Sequence, residues 1–571
     1  MTVTLASLLG KVPPEELPML VYLTQGTLKP DYEGVELGLA EKMALRAIAT
    51  ASGARQEAVQ KRYIELGDIG SAAQKTLQSR SQGTLYSEKL SLKKVYETLL
   101  KVARLSGPGS VEAKLREVVS LLNDASPLEA KFIVRTVTGV LRLGMADYTV
   151  LDATALAFLG DKSQRPRLER AYNVHPDLGL VVQTAALKKL RGIDRIKAEV
   201  GVPIRPMLAE RLESAKAIVA KLGGRAVAAE YKLDGERLQL HKNGGSVNIF
   251  SRRLEVITGH YPDAVALVKE NVRLRTGILE AEVVAVNQDT GEYLPFQELM
   301  HRRRKHGVKE AMARYPVALN FFEILMAGPK DVTGLPYSER RKMLKRAVQE
   351  TDSTRLVPSI VTATPARIEE FMEEAIENGC EGLVVKDPDS PYRAGAREFA
   401  WIKLKREYRS ELTDTIDLVV IGGFHGRGRR AGTFGTYLLA AFDEGRSLFT
   451  SIAKVGTGFT DADLSRIPKL LKGYESKVKP SNVESKLKPD VWFRPGVVIE
   501  TIASELTLSP THLAGMGRVR PGAGISLRFP KFTGKVRDDK RPEDSTSVVE
   551  ILEMYGSQLK KVASAGGAPS N

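Results

Sequence analysis

From Leu5 to Gly201 apolar positions recur every three or four residues, and past Pro206 the period shortens to two. The stretches 37–51, 92–105, 111–122 and 127–138 each carry an apolar stripe with polar residues between, and breaks such as Ser106-Gly107-Pro108-Gly109 separate them. This predicts an all-α domain over 1–203. Alternating runs at 226–231, 237–241, 246–250, 277–286, 317–325, 382–386 and 400–405, with helical spacing at 261–270, 337–350 and 365–378, predict a mixed α/β domain over 204–409. Beyond it, Gly-rich loops divide strand-like runs at 415–421, 435–442, 448–455, 497–506 and 524–529, which fits a small barrel of the oligonucleotide-binding type over 410–558. Small and polar residues at the end predict an unstructured tail over 559–571. The predicted class is a multidomain α+β protein.

Composition narrows the reading. A chain of 571 residues exceeds what one core organises. It has no apolar run long enough to span a bilayer and opens without the basic-then-apolar segment of a signal peptide, so no membrane contact and a cytoplasmic location are expected. The single cysteine, Cys380, excludes an internal disulfide and any zinc module built on several thiolates. A formal net charge of +16 makes a polyanionic partner the expectation, because clustered Lys and Arg displace counterions from phosphates.

The candidate chemistry centres on Glu230-Tyr231-Lys232-Leu233-Asp234-Gly235-Glu236-Arg237. Asp234-Gly235 is a turn pair after an apolar run, which puts Lys232 where a strand passes into a turn. A lysine nucleophile needs its amine freed from a pKa of about 10.4, by desolvation or by neighbouring cations. An exposed charged hairpin is the plain alternative.

Three further strands bear on the choice. Alternation puts Glu280 and Glu282 on one face, where a cation, a sugar hydroxyl or a divalent metal would relieve their repulsion. Cys380-Glu381-Gly382-Leu383-Val384-Val385-Lys386 leads an acid into a strand and ends it with a lysine. In Trp401-Ile402-Lys403-Leu404-Lys405 both lysines share a face, and ammonium groups on an otherwise apolar strand need an anion or water. Charge-defended edge strands account for one such strand, but a nucleoside triphosphate accounts for all of them. The sequence has no G-x-x-x-x-G-K-[ST] loop, so strand side chains would hold the triphosphate. Lys232 would attack the α-phosphorus, expel pyrophosphate and form a lysyl-nucleotidyl phosphoramidate. Elsewhere, Arg135 and Arg142 flank a helix end at Gly139 and suit phosphate contact or a solvated face. The run His301-Arg302-Arg303-Arg304-Lys305-His306 reads as a solvated basic face. His425, Arg427, Arg429 and Arg430 sit among glycines in a basic edge or a surface hairpin.

The order of K-x-D-G-x-R (Lys232 to Arg237), Ser251-Arg252, the Glu282 strand, Phe322, the Glu381 to Lys386 run, the Trp401 to Lys405 run and Arg537-Asp538-Asp539-Lys540 resembles the motif series of covalent nucleotidyltransferases. Over nearly its whole length the chain resembles archaeal ATP-dependent DNA ligases of three domains: DNA-binding, adenylation and OB-fold. The resemblance implies an enzyme that seals nicks in duplex DNA in replication, repair and recombination, with ATP as AMP donor and Mg²⁺, or Mn²⁺ in its place. Three steps are implied: adenylylation of Lys232, transfer of AMP to a 5′-phosphate, and attack by the adjoining 3′-hydroxyl.

By the same resemblance, Glu230 would recognise adenine and Phe322 would stack on it, although a core aromatic is the plain reading of Phe322. Arg237 and Arg252 would hold nucleotide or DNA phosphate and sugar. Glu282 would contact ribose or help place metal, and Glu381 would assist the metal. Arg397, Lys403 and Lys405 would surround the phosphates, while Arg537 and Lys540 would orient the leaving pyrophosphate. A monomer is implied, with the barrel turning about 405–413 and a sliding clamp bound through Gln82-Gly83-Thr84-Leu85-Tyr86, for which a polar loop is the alternative. The rivals are an RNA ligase, a capping guanylyltransferase, and a binding scaffold with a dead core. A scaffold has no need for Lys232, Arg237, Lys403 and Lys405 together. The missing thiolates disfavour an NAD-dependent ligase.

Overall fold

The computed structural model describes the chain apart from residues 38, 80–88, 142, 288–290, 295, 301, 303–307, 406–414, 427–432 and 566–571. It divides into two compact units, Met1–Pro206 with Phe250–Val256, and Met207–Ile249 with Ile257–Asn571.

The first unit is helical up to Ile193. The four predicted helices appear as Glu41–Ser52, Leu92–Arg104, Ser110–Asp124 and Pro127–Val137. Their stripes, including Ile48, Leu99, Leu121 and Val134, meet in one core, while Leu9, Val150, Leu168 and Val182 build a second. Ser126 and Glu129 form a capping box that satisfies two of the end amides of Pro127–Val137. Gly70 lets that helix approach Ile69–Gln78, because a Cβ there would stand 2.6 Å from the Lys131 carbonyl oxygen.

Two sheets build the first half of the second unit. Their strands are β1 (Leu208–Arg211), β2 (Val227–Lys232), β3 (Glu236–Asn243), β4 (Ser246–Ser251), β5 (Thr276–Ala285), β6 (Val317–Ala327), β7 (Lys330–Asp331), β8 (Thr354–Leu356), β9 (Ser359–Thr362), β10 (Gly382–Lys386) and β11 (Arg397–Lys405). One sheet has the order β1-β11-β10-β2-β9, and the other β4-β3-β5-β6-β7 with β8 beside β6. In the first sheet Val227, Ala229, Leu383, Val385, Ile402 and Leu404 face one way and pack on Ala215–Lys221 and Pro365–Glu377. Alternation leaves the even-numbered residues of β2 and β10 and the odd-numbered ones of β11 for the other face.

The rest of the unit is sheet with two helices. Its strands are β12 (Ile416–His425), β13 (Phe434–Asp443), β14 (Leu448–Val455), β15 (Glu475–Ser476), β16 (Val483–Glu484), β17 (Val491–Phe493), β18 (Val498–Ile502), β19 (Glu505–Ser509), β20 (Gly524–Arg528) and β21 (Lys531–Val536). The order is β15-β17-β12-β13-β14-β16, with β18 joining β12 to β21 and with β19 and β20 paired separately.

Three expectations change here. The run 497–506 is two strands, because the chain leaves the large sheet at Ile502 and enters the β19–β20 ladder at Glu505. No Gly or Pro in the run marks the step. Helix Asp461–Leu471, capped by Thr460 and Asp463, replaces a predicted loop. The expected tail over 559–571 overlaps a helix, Val548–Ala565, whose Val548, Ile551 and Tyr555 enter the core; the helical spacing continues past Gln558 into residues that look polar by composition.

Candidate functional site

Pairing across the first sheet aligns the chemistry in rows. Gly382 lies opposite both Lys405 and Lys232, and Val384 lies opposite Lys403 and Glu230. Arg211 extends the second row beside Lys403, and Lys386 faces Trp401 in a third. One sheet face therefore presents Lys232, Lys405, Lys403, Arg211, Glu230, Lys386 and Trp401. Gly382 has φ +138° and a Cβ there would stand 2.2 Å from the Leu404 carbonyl oxygen, so only glycine closes the gap between the two lysines of the first row.

Lys232 ends β2 with its side chain 25% exposed, and its Nζ lies 2.6 Å from Glu381 Oε2. Lys405 pairs with the same oxygen. Burial pushes the Glu381 carboxyl up, but Lys232 and Lys405 beside it hold it below its ordinary value. Asp234 shifts the opposite way, raised by burial and then by the charge of Glu381. Burial lowers Lys403, and Arg397, Lys405, Lys232 and Arg211 lower it further. Such a concentration of cations on one face favours a polyphosphate.

Glu230 lies 2% exposed at the inner end of the second row. Lys386 Nζ sits 2.6 Å from its Oε2, Arg341 Nη1 3.3 Å from its Oε1, and the Tyr337 hydroxyl donates to it. Lys386 is itself buried, with Nζ 4.3 Å from the Trp401 ring centroid, 4.6 Å from that of Tyr337 and 5.3 Å from that of Phe322. A carboxylate offers about four acceptor positions. Among the described residues these three partners leave Glu230 one for a further donor.

The second sheet supplies the facing wall. Arg237 is held by Glu280 at 2.7 Å and by the Met207 carbonyl at 2.8 Å, and its guanidinium lies 5.2 Å from the Phe322 ring centroid. Phe322 also meets Trp401 edge-on at 6.3 Å. Glu280 is 1% exposed and also accepts from Gln239 and Tyr392, so it serves Arg237 and the core. Glu282 is different. Burial pushes its carboxyl up to about 7, Lys232 and Arg237 pull it down, and Glu381 and Glu236 push it up again.

Not every predicted residue joins this cluster. Arg397, although exposed at the start of β11, still acts by its charge on Lys403, whereas Arg252 is exposed in the turn after β4, within the first unit. Arg537 and Lys540 both pair with Asp417, at 2.5 and 2.7 Å, and Arg537 also pairs with Asp539. Arg135 is bound through Nε and Nη2 to Asp68 and has its side chain 15% exposed. Arg142, the stretch 82–86, the turning segment from 406 onward, Arg427, Arg429, Arg430 and all of 301–306 except Arg302 lie outside the described residues. Arg302 itself is buried against Asp263 rather than on a solvated face. Sequence reasoning missed Arg211, Asp234, Tyr337 and Arg341. Tyr337 and Arg341 are one helical turn apart in Tyr337–Ala347, and nothing local shows that their helix packs beside Glu230.

Among the described residues no group of three or more His, Cys, Asp or Glu side chains gathers to hold a metal. Glu282 and Glu381 nonetheless fit Mg²⁺, which takes one or two carboxylates and completes its shell with phosphate and water. Burial raises the Glu282 carboxyl to about 7, and a divalent cation beside it would favour its ionised form.

The chain matches three family models, described as DNA ligase N terminus over 1–155, ATP dependent DNA ligase domain over 206–405 and ATP dependent DNA ligase C terminal region over 430–540. It is 49% identical over 562 residues to a DNA ligase of Cenarchaeum symbiosum, covering 98% of this chain and 95% of that one. It is 50% identical over 570 residues to DNA ligase 2 of Thermofilum pendens, covering 98% and 94%. Among solved structures, mycobacterial DNA ligase D complexed with ATP and MES matches at 23% identity and a TM-score of 0.28, over 60% of this chain and 97% of that one.

Proposed function

The chain belongs to the ATP-dependent DNA ligases, which seal nicks in DNA, and from that premise we propose that Lys232 is the residue that carries AMP between ATP and the nick. The observation that carries the proposal is the single sheet face on which Lys232, Lys405, Lys403 and Glu230 stand in register.

Lys232 Nζ attacks the α-phosphorus, the N–P bond forms as the bond to the β-phosphate oxygen breaks, and pyrophosphate leaves with the bonding pair. The amine proton passes to Glu381 or water. Glu230 takes the adenine amino group on its remaining acceptor position, and Phe322 supports the base with Arg237 behind it. Lys403 and Lys405, with Arg397 near the mouth, neutralise the phosphates as charge moves to the leaving group. Glu282 and Glu381 would hold Mg²⁺, which supplies charge neutralisation at the phosphates. AMP then passes from Lys232 to the 5′-phosphate of the nick, and the 3′-hydroxyl displaces it.

We read β12–β21 as a barrel of the oligonucleotide-binding type, supported by the antiparallel β12-β13-β14 meander, which β18 and β21 extend on the β12 side. Arg537 and Lys540 are assigned to the leaving pyrophosphate; this requires them to release Asp417, a residue of the same barrel, and the barrel to change orientation between steps. The exposed Arg252 is assigned to DNA phosphate.

Incubation with α-labelled ATP and Mg²⁺, a denaturing gel and a chase with nicked DNA test the proposal. Label on the wild type, its absence from Lys232→Ala and its discharge with sealing are expected. Label that persists in Lys232→Ala would sink it, and sealing of RNA nicks in preference to DNA would move the chain to another substrate.

A further inference from the structure

Both carboxylate oxygens of Glu230 are held. Lys386 Nζ stands 2.6 Å from Oε2, while the Tyr337 hydroxyl donates to Oε1, which Arg341 Nη1 also approaches at 3.3 Å. The holders come from two elements. Lys386 ends β10, the strand paired with the one that carries Glu230, and Tyr337 and Arg341 share one face of the helix Tyr337–Ala347. With both oxygens held, the carboxylate plane cannot turn without losing a bond, so its remaining acceptor position keeps one direction.

The three holders do different work. Lys386 also donates to the Phe322 carbonyl at 3.2 Å, and Arg341 also donates to the carbonyls of Phe321 and Val357, so each ties the second sheet together besides holding Glu230. Tyr337 is 2% exposed, and among the described residues Glu230 is the one hydrogen-bond partner of its hydroxyl. Burial and then the charge of Glu230 push its phenol well above the ordinary range, so it keeps its proton and donates. Its place is fixed without that hydroxyl. The Tyr337 amide donates to the Ser390 carbonyl at 2.9 Å, and Arg340, the fully buried fourth residue of the same helix, donates to Glu323 at 2.9 Å and to the Ser390 carbonyl at 3.0 Å. The Tyr337 ring meanwhile faces Lys386 Nζ at 4.6 Å. Ring and hydroxyl thus serve separate partners, and phenylalanine would keep the one and remove the other.

An ionised carboxylate only accepts hydrogen bonds. Adenine offers it an amine donor at C6, where guanine carries an accepting oxygen. We propose that Tyr337 is a positioning residue that sets nucleotide specificity, its hydroxyl aiming Glu230 so that the remaining acceptor position meets the 6-amino group of a purine nucleoside triphosphate. The proposal rests on the reading of Glu230 as the group that takes the adenine amine. Tyr337 takes part in no bond that is made or broken; it acts on which nucleotide is chosen before Lys232 attacks.

The test uses the full chain and Tyr337→Phe, labelled with α-labelled ATP and with α-labelled purine riboside 5′-triphosphate, which lacks the amino group. Both nucleotides are given to the same preparation, so the ratio of their labelling efficiencies does not depend on the folded fraction. Wild type is expected to prefer ATP by about 10- to 100-fold. In Tyr337→Phe that preference is expected to fall about tenfold through a higher half-saturating ATP concentration, with the maximal rate, and the use of purine riboside triphosphate, within about threefold of wild type. An unchanged preference, or an equal loss with both nucleotides, overturns the proposal and leaves the reading of Glu230 standing. A wild type that takes label equally well from both removes that reading, and the proposal with it.

Discussion

Lys232 and Glu381 are joined twice, by the Glu381 amide to the Lys232 carbonyl at 2.8 Å and by the two side chains at 2.6 Å. Lys232 and its counter-charge thus share backbone and side-chain fixing. Glu381→Gln keeps the shape and removes the charge that Lys232 and Lys405 share. Single-turnover adenylylation is expected to fall about 100-fold. A rate within threefold of wild type would show that the pairing has no part in the step.

Glu282 titrates the stability of the fold. Its folded carboxyl is raised to about 7 from an ordinary 4.5. Between those values the folded chain keeps a proton that the unfolded chain has released, so stability falls as pH rises through the window and the loss is complete above it. Glu282→Gln removes this effect. The melting temperature of the variant relative to wild type is expected to rise between pH 4.5 and pH 8, by an amount worth about 3 kcal/mol at most. A pH-independent difference would refute the assignment.

Removing Lys386 leaves the buried Glu230 with Arg341 and Tyr337, among the described residues, for compensation. Lys386→Met is expected to cost about 2–4 kcal/mol in urea unfolding, and Lys386→Met/Glu230→Leu to recover most of it. A double variant no more stable than the single one would mean that Glu230 does not depend on Lys386.

Arg135 binds Asp68, whose carboxyl also accepts from the Ser71 amide at the start of Ile69–Gln78. Arg135→Ala is therefore expected to lower stability by about 1–3 kcal/mol, with a coupling to Asp68→Ala of about 1–2 kcal/mol in a double-mutant cycle. Weaker DNA binding at unchanged stability would restore the arginine to a phosphate-contact role.

Much of this was legible in the sequence, because strand alternation is strict where both faces matter. Lys403 and Lys405 against Ile402 and Leu404, and Glu280 with Glu282, could be placed from spacing alone. The helices at 92–105 and 127–138 likewise fell within a residue or two of their observed ends. What spacing could not reveal was which strands lie side by side. Arg211 becomes part of the site only through a parallel pairing of β1 with β11, nearly two hundred residues away, and Tyr337 only because its helix packs behind Glu230. The break between β18 and β19 was hidden because no Gly or Pro marks the change of sheet between Ile502 and Glu505.

The glycine between Lys405 and Lys232 bears on how this site tolerates genetic change. The three strands act as a ruler on which functional side chains are spaced two residues apart and aligned crosswise. Replacing one side chain alters one contact, whereas inserting or deleting a single codon in β10 or β11 would turn every ligand of that strand into the apolar side and every core residue into the cleft. Length in these strands is thus under tighter constraint than identity at most of their positions. A scan of in-frame single-codon deletions should find β10 and β11 nearly free of survivors, while the helical segments on the opposite face of the sheet tolerate such changes at their ends.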